Sequence, residues 1–188
     1  MQAARGTSLS DTVPPHSDPS SASRVRLRLL FAAIAAVGLT IDQVTKSLAL
    51  HRLADGDVEV FGSWFVLHLT RNPGAAFSTG TQYTLLLSIV AIAAVCVVLF
   101  LSRRIGSVGW AVAMGLLLAG VSGNLADRIL REPSPLRGHV IDFLMLPNWP
   151  VFNIADICIN VAAGLILVQA FRGIRLDGTR ESDQEQEA

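Results

Sequence analysis

Four stretches of this chain, roughly 28–49, 82–102, 108–129 and 151–171, are runs of mostly Ala, Val, Leu, Ile and Gly. Each is near the ~20 residues that a helix needs to cross a bilayer. Only 16% of the 188 residues are charged and 51% are hydrophobic, whereas a typical soluble domain carries about 25% charge. The chain is therefore expected to be an all-α integral membrane protein with four transmembrane helices. The first span is the least pure, because Asp42, Gln43 and Lys46 lie in its second half.

Basic residues suggest the orientation. Arg24, Arg26 and Arg28 precede the first span, Arg103 and Arg104 separate the second from the third, and Arg172 and Arg175 follow the fourth. The positive-inside rule assigns these groups, and both termini, to the cytoplasm. The bias is modest, since Arg52, Arg71, Arg128, Arg131 and Arg137 fall on the other side. That side receives residues 50–81 and 130–150. Val58 with Val60, and Phe65 with Leu67 and Leu69, alternate as short strands do, and Pro73-Gly74 is a turn signal. A small β element over a four-helix bundle follows. The expected organisation is a disordered tail at 1–23, rich in Ser and Pro, a membrane domain at 24–172, and a second disordered tail at 173–188, acidic from Asp177 onward. The first apolar run lies too far in for a plain cleavable signal peptide. A formal net charge of zero gives no support to nucleic-acid binding. Cys96 and Cys158 lie in apolar segments and read as packing residues.

The polar residues of the spans converge on one face of the membrane. Asp42 and Lys46 are four apart on a helix; Asn124, Asp127 and Arg128 follow i, i+3, i+4; Asn153, Asp156 and Asn160 form a third stripe, with Asp156 one to two turns inside the last helix. Such residues can serve only as glue between helices, at ~0.6 kcal/mol per contact. That role suits Asp42 with Lys46 and Asp127 with Arg128, where each acid has a basic neighbour. Asp142 and Asp156 have no lysine or arginine within four residues, and ionisable groups at a membrane edge are costly enough to suggest a function. Two carboxylates brought together cannot both ionise easily, so one holds a proton while the other stays a base, as an aspartyl protease requires. His68 and His139 form no metal-ligand spacing with these acids, and no serine sits in a nucleophile elbow. A small transporter or proton-conducting bundle, or a structural membrane protein, would also carry intramembrane acids. A transport path, however, needs polar groups at successive depths, and the inner halves of the spans are nearly all apolar.

The blocks DQVTKSLAL (Asp42–Leu50), RNPGAAFS (Arg71–Ser78), GNLADR (Gly123–Arg128), VIDF (Val140–Phe143) and FNIAD (Phe152–Asp156) occur in an order that resembles the lipoprotein signal peptidases (signal peptidase II). The resemblance covers nearly the whole membrane domain. It implies four transmembrane helices with a small extracytoplasmic β-cradle, in the bacterial cytoplasmic membrane. It implies an aspartic endopeptidase that removes the signal peptide from diacylglyceryl-modified prolipoproteins, cutting before the lipidated cysteine. The catalytic pair maps to Asp142 and Asp156, and the supporting or substrate-binding residues to Asp42, Lys46, Asn72, Gly74, Asn124, Asp127, Arg128 and Asn153. Prolipoprotein substrates and membrane lipid are the implied partners, with no nucleic acid, no metal or other cofactor, and a monomer as the working form. Ala75, Ala76 and Phe77 are expected to clamp the peptide. The stretch from Asp142 to Asp156 is shorter, and the N-terminal tail longer, than in many members.

Overall fold

The computed structural model describes residues 21–74 and 83–180. Its elements are helix α1 (Ser21–Arg52), strands β1 (Val58–Glu59) and β2 (Val66–Asn72), helices α2 (Thr84–Ser102) and α3 (Val108–Leu130), strand β3 (Val140–Met145) and helix α4 (Ile154–Phe171). All four helices are long and apolar enough to span a bilayer, α2 most clearly, with a mean hydropathy of 3.0 over its best window. Side chains such as Val90, Val97, Phe100, Val161 and Leu167 remain exposed on the outer surface of the bundle, where lipid rather than water is their neighbour.

Local chemistry sets the helix ends. Ser107 caps α3 by accepting from the Trp110 amide at 3.3 Å, and Pro133 follows closely after its end, where a residue without an amide proton cannot continue a helix. Helix α4 begins with a capping box, Asn153 as cap and Asp156 three residues on. Helix α3 packs against the other three. Its small residues allow this: a methyl added at Gly123 would lie 2.5 Å from Asp42 Oδ2.

The three strands form one antiparallel sheet in the order β1-β2-β3. Chain order places it over the end of the bundle where α1 and α3 finish and α2 and α4 begin. Phe143 and Leu144 of β3 pack with Ala49 of α1 and Leu53 just beyond its end, which fixes the sheet on the helices. In the β2–β3 pair, Thr70 stands opposite Asp142, Arg71 opposite Ile141 and Asn72 opposite Val140.

The expected tail boundaries shift. Residues 1–20 and 181–188 lie outside the described residues, but α1 already begins at Ser21, and residues 173–180 fold back on the bundle. There the Ile174 carbonyl accepts from Trp110 Nε1 at 2.9 Å and the Leu176 carbonyl from the Gly106 amide at 2.9 Å. Leu176 also packs on the apolar cluster of Phe31, Val98 and Met114. Two apolar anchors inside a polar stretch are enough to hold it, and average composition hides them.

Candidate active site

Three helices and the sheet bring polar side chains together beneath β3. Asp142 is supplied by β3 and is 3% exposed. Asp156 is supplied by the first turn of α4. It lies nearer the helix start than expected, because the Asn153 cap delays that start to Ile154. The sequence N-x-x-D encodes this placement locally: the Asn153 side chain accepts from the Asp156 amide at 2.9 Å, and Asp156 Oδ2 accepts from the Asn153 amide at 3.1 Å.

Asn153 joins the two acids. Its Nδ2 donates to Asp142 Oδ1 at 2.6 Å, while its backbone amide serves Asp156. The remaining oxygens are also occupied: Asn72 Nδ2 donates to Asp142 Oδ2 and Asn124 Nδ2 to Asp156 Oδ1, each at 2.9 Å. Both acids line one cavity of about 310 Å³, together with Asn72, Asn124, Arg128 and Asn160 and the apolar segment Trp149–Phe152. Burial pushes Asp142 from the usual 3.8 to about 6; the Asn72 hydrogen bond opposes this rise and the neighbouring Asp156 charge adds to it.

Behind the acids lies a buried ionic network. Lys46 Nζ reaches Asp42 Oδ2 at 2.9 Å, Asp127 Oδ2 at 2.8 Å and Asn124 Oδ1 at 2.9 Å. The last contact fixes the Asn124 amide so that its Nδ2 faces Asp156. Asp42 Oδ1 in turn accepts from the Ala155 amide at 2.9 Å, satisfying one of the orphan donors at the α4 N-terminus. Asp127 pairs with Lys46 and Arg131, not with Arg128 as the sequence suggested. Adjacent helix residues point away from each other, whereas i and i+4 face each other. Arg128 instead donates from Nη2 to the Gly74 carbonyl at 2.7 Å, and its buried Nη1 has no partner among the described residues. Gly74 is itself held by Asn72, whose Oδ1 accepts its amide at 3.0 Å.

All ten residues singled out from the sequence thus fall in the cavity wall or in the network behind it. Three contributions were missed. Gln43 ties Asp42 to the Gly123 carbonyl, Thr84 and Ser88 hold the Pro73 and Leu136 carbonyls, and Trp149 with Pro150 forms an apolar cavity lip. An aromatic–proline pair just before a helix cap is the one signal that could have pointed to the lip. His68 contacts Asp57 at 2.8 Å, away from the cavity of the two acids. Ala75, Ala76 and Phe77 lie outside the described residues. Among the described residues, no group of three or more His, Cys, Asp or Glu is placed to hold a metal ion.

Residues 34–172 match the family model described as signal peptidase (SPase) II. The chain belongs to the signal peptidase II family. A lipoprotein signal peptidase of Mycobacterium leprae (strain Br4923) is 46% identical over 161 residues, covering 84% of this chain and 80% of the relative. Another, from Leifsonia xyli subsp. xyli (strain CTCB07), is 40% identical over 183 residues, covering 96% and 85%. A bacterial membrane enzyme solved by the in meso method at 2.3 Å resolution superposes with a TM-score of 0.68 at 26% identity, covering 75% of this chain and 87% of that one. This signal peptidase II member is accordingly a multi-pass membrane peptidase.

Proposed function

We propose that the protein is an aspartic endopeptidase that removes the signal peptide from diacylglyceryl-modified prolipoproteins, with Asp142 and Asp156 as the catalytic pair. The observation that carries this reading is the cavity holding both acids, bridged by Asn153. Asp142, the more buried acid, whose affinity for a proton burial raises, is the proton holder. Asp156, at a helix N-terminus that favours negative charge, is the base.

In this mechanism Asp156 takes a proton from a water molecule as that water attacks the scissile carbonyl carbon. Protonated Asp142 donates to the carbonyl oxygen as it gains negative charge. Collapse of the tetrahedral intermediate breaks the C–N bond, and the proton gained by Asp156 passes to the leaving amine. Arg128 Nη1, a donor without a partner among the described residues, is available to a backbone carbonyl of the bound peptide. The chemistry calls on no metal. The position of the pair at the helix ends suits a substrate whose acyl chains stay in lipid, and the modest arginine bias supports an orientation with that face outside the cytoplasm and both termini inside. A single chain supplies every group in this scheme, so the monomer suffices.

The test is cleavage of a diacylglyceryl-modified prolipoprotein peptide by purified protein. Wild type should cut before the lipidated cysteine, and Asp142→Asn and Asp156→Asn should each lose about 10²–10⁴-fold or more. Near-normal cleavage by either folded variant would remove that residue from the pair.

A further inference from the structure

The β2–β3 pair separates two cavities. Asn72, Val140 and Asp142 line the one described above, while Arg71, His139 and Ile141 line a second, of about 510 Å³. Even and odd residues go to opposite sides because successive side chains of a strand do so. Arg71 belongs to the RNPGAAFS block, yet it takes no part in the catalytic site. Among the described residues, neither its guanidinium nor the His139 ring is engaged in a hydrogen bond or ion pair. Arg131, from the end of α3, forms another wall; its Nε is held by Asp127 Oδ1, which leaves its Nη groups for another acceptor. The rest of the lining is partly apolar, with Leu50 from the last turn of α1 and Leu130 from the end of α3, the latter 80% exposed.

Two guanidiniums and an imidazole beside one exposed and one half-buried leucine, at the ends of two membrane-spanning helices, make an amphiphilic seat. We propose that this second cavity binds the phosphate of a membrane glycerophospholipid from the leaflet that meets the sheet. Arginine forks match phosphate oxygens two at a time, and basic pockets between helices at a membrane surface suit lipid headgroups. Leu50 and Leu130 flank the acyl chains, which a free phosphate ion lacks. Glu132, exposed at the rim, adds one carboxylate. The cavity therefore selects phosphate by donor geometry and not by net charge, so phosphatidylglycerol and phosphatidylethanolamine both fit. This inference is independent of the catalytic assignment.

The test is native mass spectrometry of the delipidated full-length protein in detergent, incubated with phosphatidylglycerol, phosphatidylethanolamine or a phosphate-free galactolipid. Wild type should retain one molecule of either phospholipid and no galactolipid. Arg71→Gln, at an exposed position, should weaken retention roughly tenfold, or about 1.4 kcal/mol, and adding His139→Gln should weaken it further. Glu132→Gln, at the same rim, should leave retention intact. Equal retention of the galactolipid, undiminished retention by the double variant, or displacement of the lipid by millimolar inorganic phosphate would each overturn the proposal.

Discussion

Replacing Asp142 with asparagine should abolish cleavage and remove the loss of stability that wild type suffers as pH rises. The carboxyl is 3% exposed and titrates near 6 in place of 3.8. Between those values the folded protein keeps a proton that the unfolded chain has released. The contribution to stability is therefore full below the unfolded pKa and is lost as pH rises through about 6. The shift corresponds to about 3 kcal/mol, of which about 2–3 kcal/mol disappears between pH 4 and pH 8. An asparagine side chain does not titrate; its Oδ1 can still accept from one of Asn153 and Asn72, while its amide group meets the other donor to donor, a cost that does not vary with pH. Relative to wild type, the variant should thus gain about 2–3 kcal/mol between pH 4 and pH 8, whatever that constant cost. For a chain of this size that is on the order of 5–10 °C in unfolding midpoint, readable from tryptophan fluorescence in detergent. A difference that does not change with pH, or that shifts in favour of wild type as pH rises, would refute the claim that burial penalises the Asp142 charge.

The same titration bears on catalysis: kcat/KM should fall about tenfold per pH unit above about 6 as Asp142 loses its proton, and a profile flat to pH 8 would exclude it as the acid. Lys46→Met leaves Asp42 and Asp127 facing each other without their shared cation, all three being fully buried, and should cost about 3–5 kcal/mol. An unfolding midpoint equal to that of wild type would show that the network is not what neutralises them. Gly123→Ala sets a methyl 2.5 Å from Asp42 Oδ2 and should cost about 1–3 kcal/mol. It should lower activity as well, because Asp42 holds the Ala155 amide at the start of α4; unchanged turnover and midpoint would mean that α1 and α3 can move apart freely.

The helices were legible because their signal is length and apolarity, and the structure moves their ends by only a few residues except in α1, whose arginine-bearing first turns precede the apolar run. The capping box of α4 was present in the sequence as N-x-x-D, but the broader apolar run concealed it and placed Asp156 too deep. Asp142 showed itself through its lack of a basic neighbour; that it belongs to a strand was not apparent, since VIDFLM is buried almost throughout and shows no alternation. The partners of Asp127 were misread because the nearest charge in sequence is not the nearest on a helix. Arg71 and Asn72 are adjacent in sequence and serve different cavities, a division that strand register creates and that local reading does not supply.

The Asp42–Lys46 pair has a consequence for how such a chain enters the bilayer. Helix α1 is made first, and its other partners, Asn124, Asp127 and the Ala155 amide, are made much later. A lone acid or lysine near the middle of an inserting helix costs about 2.5–3.5 kcal/mol. Spaced four apart, the two can neutralise one another within the helix before any other span exists. Helix α1 has 32 residues, about 48 Å at 1.5 Å each, against a hydrocarbon core of about 30 Å. It can therefore slide so that the pair waits near one surface, until α3 arrives and draws both charges into the finished protein.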